Sequence, residues 1–185
     1  MVTRASIVSA AWAAVAAVCV AAPETSVLTL RSQRHKVSVS VAPIDGFGGP
    51  TYQAWPSYDV FSFGHGKEPA ACYLQMRFNR YTDEPRDRHS AEDIAIHWNT
   101  TPLEKIREQY KREFQRPNVE RITMLRVAGQ AVRVHAVYDA DGHFYAAEIL
   151  RGDTVVSVEL RSPTRRELQR HKASFLSFVQ SLRTT

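Results

Sequence analysis

The sequence lacks the patterns that mark most metal centres and disulfide frameworks. It contains only two cysteines, Cys19 and Cys72, and no Cys-x-x-Cys pair. Its seven histidines never fall in His-x-x-x-His or His-Glu-x-x-His spacing, the spacing that places two ligands on one helix face. We therefore expect no transition-metal site and no cofactor; ligands gathered from distant positions are the alternative. Cys72 lies in an apolar strand pattern, where a thiol usually behaves as a small hydrophobe, and a reactive thiol is the less favoured interpretation.

Motifs for nucleophilic catalysis and phosphate binding are also missing. The sequence has no Gly-x-Ser-x-Gly elbow, and the glycines of residues 45–49 precede neither a lysine nor a helix start, both of which a phosphate-binding loop requires. We expect no catalytic residues and no enzymatic activity. The alternative from another class is a metal-dependent hydrolase built from scattered His, Asp and Glu side chains.

No long run of like charges occurs anywhere in the chain. The formal net charge is +5, but acidic and basic residues are interspersed and no basic run reaches five residues. A positive balance of this kind can favour anionic surfaces. The mixed pattern is more typical of an ordinary solvated surface, and we expect no nucleic-acid partner.

The amino-terminal residues have the layout of a secretory signal peptide. Arg4 precedes an apolar run from residue 7 to residue 20, which is interrupted only by Ser9 and ends in small residues before Pro23. A positive start, a short apolar centre and a small-residue exit are the three parts of such a leader. We predict a signal peptide over residues 1–21 and a periplasmic or secreted protein. No later segment is apolar enough to span a membrane, so we expect no transmembrane helix in the mature chain.

Cys19 offers an alternative exit from the leader, in which it becomes a lipid-carrying residue at the mature amino terminus. A lipobox has Gly, Ala or Ser directly before the cysteine, whereas Val18 occupies that place here. Cleavage after Ala21 is therefore the favoured prediction. Lipidation of Cys19 would change the protein from a soluble one to an anchored one.

Alternating apolar and polar residues predict strands through most of the chain. Glycine-containing turns at residues 141–142 and 152–153 predict tight hairpins, which force neighbouring strands to be antiparallel. The segment from Pro43 to Pro56 is rich in glycine, proline and aromatics and is interpreted as a long loop. The predicted strands cover residues 27–30, 35–41, 58–63, 71–79, 119–127, 131–139, 144–150 and 154–161.

Two regions carry helix signals. Ser90 and Asp93 have capping-box spacing, and Thr101 as N-cap with Pro102 at the first helical position predicts a second start directly afterwards. A third helix opens after Pro163. The apolar stripes at helical spacing are Leu103, Ile106, Tyr110 and Phe114 in the middle of the chain, and Leu168, Phe175, Phe178, Val179 and Leu182 at its end. The predicted fold class is α+β: an antiparallel β-sheet with helices packed on it, in one domain over residues 22–185.

The order of these elements resembles the PsbP-like family, including exported bacterial members similar to DcrB. The resemblance rests on the leader, on the Val37-Ser38-Val39 strand before the Pro/Gly-rich stretch, on the mid-chain amphipathic helix and on the closing pattern. That pattern is Gly142-x-Phe144-Tyr145, then Gly152-Asp153-Thr154-Val155-Val156-Ser157-Val158, then a helix from Phe175 to Leu182. The resemblance implies an α/β/α sandwich and an accessory or assembly role, and it supplies no catalytic motif.

The stretch around Trp55 is the candidate site for a partner or ligand. Exposed aromatic residues in connecting segments often bind partners or apolar ligands. The competing interpretation is that Trp55 and Tyr58 fold back over the core as a lid. The partner would be an envelope protein, or a small apolar ligand in a pocket beneath the stretch. The candidate residues are Phe47, Tyr52, Trp55, Tyr58 and His65.

Three arginines near the start of the last predicted helix form a second candidate site. Arg165, Arg166 and Arg170 place positive charge where the helix dipole is unfavourable to it. An anionic ligand would offset that repulsion. Neutralisation by Glu167 and by solvent is the simpler explanation, and it is the one we favour.

Overall fold

The computed structural model describes residues 27–65, 72–79, 90–140 and 142–184. The predicted leader and Cys19 lie outside this part of the chain. Within it the strands are β1 (Leu28–Arg31), β2 (Ser38–Val41), β3 (Phe47–Ala54), β4 (Tyr58–His65), β5 (Tyr73–Asn79), β6 (Asn118–Val127), β7 (Gln130–Asp139), β8 (Gly142–Arg151), β9 (Thr154–Ser162) and β10 (Arg183–Thr184). The helices are α1 (Ala91–Thr100), α2 (Leu103–Tyr110), α3 (Arg165–Arg170) and α4 (Lys172–Ser181).

A seven-stranded antiparallel sheet forms the centre of the fold. Its strand order is β3-β4-β5-β9-β8-β7-β6, and every neighbouring pair is antiparallel. Strands β6 to β9 form a four-stranded meander, as the predicted strands and tight hairpins indicate, because each short turn returns the chain beside the strand it has just left. The hairpin β3–β4 and strand β5 extend this meander on the side of β9.

A smaller antiparallel sheet has the order β1-β2-β10. The backbone N–H of Ala42, just after β2, donates a 2.9 Å hydrogen bond to the hydroxyl of Ser181 at the end of α4. Leu30, Val39 and Val41 of this sheet are buried in the same apolar core as the large sheet. The small sheet therefore packs with α4 rather than forming a separate unit.

Helices cover both faces of the large sheet, as an α/β/α sandwich requires. On one face Phe178 of α4 meets Phe63, and Phe175 meets Tyr145, with ring centroids 5.7 Å apart in each pair. On the other face α2 buries Ile106 against the sheet. The odd-numbered residues of β8 from Tyr145 face α4, and the even-numbered ones face α1 and α2, because successive strand side chains alternate. The predicted α+β class is confirmed.

Two helix predictions need correction in detail. The predicted carboxy-terminal helix is two helices, α3 and α4, which meet at His171 in a turn with φ −93° and ψ 6°. The start of α2 falls one residue later than predicted: Pro102 is its N-cap, and the Thr101 hydroxyl instead hydrogen-bonds Nδ1 of His97 at 2.9 Å. The capping box of Ser90 and Asp93 at the start of α1 forms as the sequence indicates.

The interpretation of residues 43–56 as a loop is wrong, because β3 occupies residues 47–54 of that stretch. The register of β3 against β4 shifts between Gly48 and Thr51, so Gly49 and Pro50 lie in a bulge. Strand β3 is at the edge of the sheet. Proline is tolerated at bulges and edges because no ladder hydrogen bond is lost there.

The carboxamide of Asn99 hydrogen-bonds both β7 and β8 where these strands are not paired with each other, and it thereby attaches α1 to the sheet. Paired residues between β7 and β8 extend only to His135 and Ala146. Beyond that point the Asn99 Oδ1 accepts from the backbone N–H of Arg133 at 2.7 Å, and its Nδ2 donates to the carbonyl of Glu148 at 3.1 Å. A helix side chain thus replaces the missing backbone partners.

Candidate functional site

The turn of the hairpin β3–β4 presents two aromatic residues side by side. The backbone N–H of Trp55 donates to the carbonyl of Tyr58 at 2.9 Å, which closes a two-residue connection made by Pro56 and Ser57. The rings of Trp55 and Tyr58 are stacked, with centroids 5.9 Å apart and an interplanar angle of 19°. Trp55 is 48% exposed, so it is not a lid buried over the core.

Tyr52 lies on the same hairpin but on the opposite face of the strand. Its ring packs against the buried Phe61 of β4 at a centroid distance of 5.2 Å, yet 42% of the residue is exposed. Partial burial and the neighbouring Asp59 carboxylate raise the pKa of the Tyr52 hydroxyl. Tyr52 and Trp55 therefore offer aromatic surface on both faces of one strand end.

The remaining two predicted residues lie at the far end of the hairpin. Phe47 pairs with His65 in the register of β3 and β4, and its half-buried ring packs edge-on against His171 at 5.2 Å. The side chain of His65 lies outside the described part of the chain. The five predicted residues are thus divided: three gather at the turn, and two do not.

Asp59 anchors the hairpin to the small sheet, a role that the sequence did not indicate. This buried residue of β4 accepts hydrogen bonds from the Ser32 hydroxyl at 2.6 Å and from the backbone N–H of Arg34 at 3.2 Å. Burial alone would raise the pKa of Asp59, but the hydrogen bonds from Ser32 and Arg34 and the nearby Tyr52 hydroxyl outweigh burial and lower it. The carboxylate therefore stays ionised and holds the connection between β1 and β2 against the hairpin.

The hairpin turn has no formal charge of its own. Residues 46–58 contain no Asp, Glu, Lys, Arg or His, and residues 51–56 are all exposed. An exposed, uncharged segment with two accessible aromatics suits contact with another molecule, because it loses little on desolvation.

The three candidate arginines do not converge on one site. The Arg165 guanidinium lies over the ring of Tyr138 at 4.1 Å and 3.7 Å from Glu120. Arg170 pairs with Glu167 at 2.9 Å, while Arg166 is exposed. Helix α3 spans six residues. Each cation thus has its own surroundings, and together they form no anion pocket in the described structure.

Buried polar groups lie between the sheet and α1–α2, where the sequence offered no signal for them. The Ser157 hydroxyl donates to the Glu148 carboxyl group at 2.5 Å. Burial raises the pKa of Glu148 to about 8 and lowers that of His135 to about 3. His135 is held by a 2.9 Å hydrogen bond to the Tyr110 hydroxyl and by the stacked ring of Trp98. These groups are enclosed by packing, which indicates a structural role.

No group of three or more His, Cys, Asp or Glu side chains within the described ranges is arranged to hold a metal ion. Cys72 is buried, and burial raises the pKa of its thiol to about 11, which keeps it protonated and unreactive at neutral pH. None of the described helices is long and apolar enough to cross a membrane.

A shallow groove of about 260 Å³ lies between the residues before β3 and helix α4. Its walls are Pro43, Ile44 and Asp45 on one side and Ala173, Ser174 and Ser177 on the other. This lining mixes polar and apolar groups and is smaller than the enclosed, mostly apolar pockets that hold small ligands. The groove therefore gives little support to an apolar-ligand site beneath residues 43–56.

Comparison with known proteins identifies the fold. No protein-family model and no curated protein sequence matches the chain. Cyanobacterial PsbP (CyanoP) from Synechocystis sp. PCC 6803 superposes with a TM-score of 0.51 at 13% identity, over 90% of this chain and 97% of that one. A protein of unknown function from Pseudomonas aeruginosa gives a TM-score of 0.43 at 13% identity, over 85% and 96% of the two chains. The similarity to CyanoP confirms the PsbP-like architecture that the sequence resemblance implied.

Proposed function

We propose that this chain, whose fold is PsbP-like, is an exported accessory protein that binds a partner protein of the cell envelope without catalysis. The main support for the proposal is the exposure of Trp55. The residue is 48% exposed, and its ring stacks on Tyr58 at the turn of the hairpin. Tyr52 adds a second exposed aromatic on the opposite face of the same strand end. We call Tyr52, Trp55 and Tyr58 the aromatic turn.

The composition of the aromatic turn matches that of energetic centres in protein interfaces. Tryptophan and tyrosine dominate such centres because each buries a large area with few rotatable bonds. The anchoring of Asp59 by Ser32 and Arg34 holds the hairpin in place before binding, which reduces the entropy lost on association.

Export is the second part of the proposal. The leader over residues 1–21 would direct the chain out of the cytoplasm, and residues 22–185 would be the functional domain. The intact mass of protein purified from its own host tests this directly. A mature chain that begins at Ala22 supports export in soluble form, and an acylated chain that begins at Cys19 indicates a lipid anchor. An uncleaved leader would contradict export.

The binding test compares Trp55→Ala with the unaltered protein in affinity capture from the host envelope fraction. We expect the recovered partner to fall by about tenfold or more, because an interface tryptophan typically contributes more than about 1–2 kcal/mol. The melting temperature should change little, since Trp55 lies outside the core.

Ile96→Ala is the matched control, because Ile96 is a large apolar residue of α1 that is 51% exposed. It should leave capture unchanged. Equal loss of capture in both variants, or capture by Trp55→Ala at the level of the unaltered protein, would refute the aromatic turn as the binding surface. A large fall in melting temperature would instead give Trp55 a structural role.

A further inference from the structure

We propose that two copies of this protein associate through the outer edge of β3, in an antiparallel pairing centred on Gln53 that joins their two large sheets. The proposal goes beyond partner binding by the aromatic turn, since it concerns pairing along the edge of β3, which includes Tyr52, and needs no other protein. It rests on three features of the strand: backbone groups that pair with no other described strand, self-complementary side chains and a lack of charge.

The free backbone groups follow from the register of the hairpin. Trp55 and Tyr58 form a hydrogen-bonded pair at the turn, and hydrogen-bonded and non-hydrogen-bonded pairs alternate along an antiparallel ladder. Opposite pairs continue as Ala54 with Asp59, Gln53 with Val60 and Tyr52 with Phe61. The N–H and C=O groups of Tyr52 and Ala54 therefore point away from β4, towards the side on which the described structure has no further strand.

Pairing about Gln53 uses each of these groups. Tyr52 then lies opposite Ala54 of the second copy, and Ala54 opposite its Tyr52, as hydrogen-bonded pairs. On one face of the joined sheet the ring of Tyr52 lies opposite the methyl group of Ala54 of the second copy. On the other face Trp55 lies opposite Thr51 of the second copy. Large residues thus meet small ones across the junction, which is the arrangement that close packing requires.

Charge selects this edge over the opposite one. Two copies that each carry a positive net charge repel one another, but β3 contributes no charge to that repulsion. The opposite edge, β6, carries Glu120, Arg121 and Arg126, and its register shifts between Arg121 and Thr123. Charges and bulges are the devices that prevent edge-to-edge pairing. From Thr51 to Ala54, β3 has neither.

Sedimentation velocity on the purified protein, from low micromolar to high micromolar concentration, tests the proposal. We expect a reversible monomer–dimer equilibrium. Ala54→Lys should raise the dimer dissociation constant by about tenfold or more, because the two introduced ammonium groups lie near each other across the junction. Met124→Lys is the control: Met124 is 44% exposed on β6, and this variant adds the same charge at the opposite edge.

Ala54→Pro provides an independent readout. It removes an N–H that the β3–β4 ladder does not use and should weaken the dimer as well, while circular dichroism confirms that the variant is folded. A protein that stays monomeric at every concentration overturns the proposal, even if it captures a partner through the aromatic turn. A dimer that folded Ala54→Lys and Ala54→Pro leave unchanged also overturns it, since the interface then lies elsewhere.

Discussion

The hydroxyl of Ser157 lies 2.5 Å from the carboxyl group of Glu148, between the sheet and α1. Burial raises the pKa of Glu148 to about 8, with the nearby Glu159 carboxylate acting in the same direction and the Ser157 hydrogen bond opposing it. At neutral pH the Glu148 side chain is therefore mostly protonated in the folded protein.

This protonation makes stability fall as pH rises. The unfolded chain releases the Glu148 proton near its ordinary pKa of 4.5, whereas the folded protein holds it to about pH 8. Between these two pH values the folded state binds more protons than the unfolded state does. The free energy of unfolding therefore decreases as pH rises through this range and levels off above about pH 8. Glu148→Gln should remove this decrease, worth on the order of a few kcal/mol.

Urea unfolding across this pH range provides the measurement for Glu148→Gln. The variant and the unaltered protein should have similar stability near pH 4, and the variant should be increasingly the more stable of the two as pH rises. Glu108→Gln, at a carboxylate whose side chain is 65% exposed, is the control and should leave the profile unchanged. Parallel profiles for all three proteins would show that Glu148 is ionised in the folded state.

Asn99→Ala should destabilise the protein by about 2–4 kcal/mol. The substitution removes the carboxamide that hydrogen-bonds the N–H of Arg133 and the C=O of Glu148, where β7 and β8 are not paired with each other. Urea unfolding measures the change. Thr100→Ala, at the next residue of α1, removes only an exposed hydroxyl that bonds the carbonyl of Ile96 and should cost less than about 1 kcal/mol. Equal losses in the two variants would mean that Asn99 does not join the strands.

Gly49→Ala should destabilise the hairpin by about 1–3 kcal/mol. Gly49 has φ +110°, and an added Cβ would lie 2.9 Å from the carbonyl oxygen of Ser62, so the substitution meets both an unfavourable backbone conformation and a steric clash. Thermal unfolding checks this against Gly64→Ala, where a Cβ would have nothing within 4 Å. A Gly49 variant as stable as the Gly64 variant would contradict the bulge geometry.

The sequence predicts the meander well and the hairpin β3–β4 poorly, for a physical reason. In β8 and β9 the glycine-containing turns and the alternation of apolar and polar residues are features of neighbouring residues, so the sequence alone indicates the strands. In β3 the glycines and Pro50 suggest a loop, and only the bulge at the sheet edge reconciles them with a strand. The sequence identifies the aromatic residues of this hairpin, but the register of β3 against β4 decides which of them lie at the turn and which at the far end.

Contacts between segments that are distant in the sequence cannot be predicted from local sequence patterns. Ser32 and Asp59 are 27 residues apart, and Asn99 and Arg133 are 34 apart. None of these residues belongs to a recognisable motif, since their roles arise only when two elements are packed together. The same holds for Glu148, whose burial depends on α1 covering β8.

The accessibility of Trp55 in the free and the bound protein tests directly whether the aromatic turn is the binding surface. Acrylamide quenching of its fluorescence, obtained by subtracting the signal of Trp55→Phe from that of the unaltered protein, isolates this residue from the other tryptophans. We expect ready quenching in the free protein and strong protection after saturation with the captured envelope partner. Unchanged quenching in a saturated complex would contradict the claim that the aromatic turn is the binding surface.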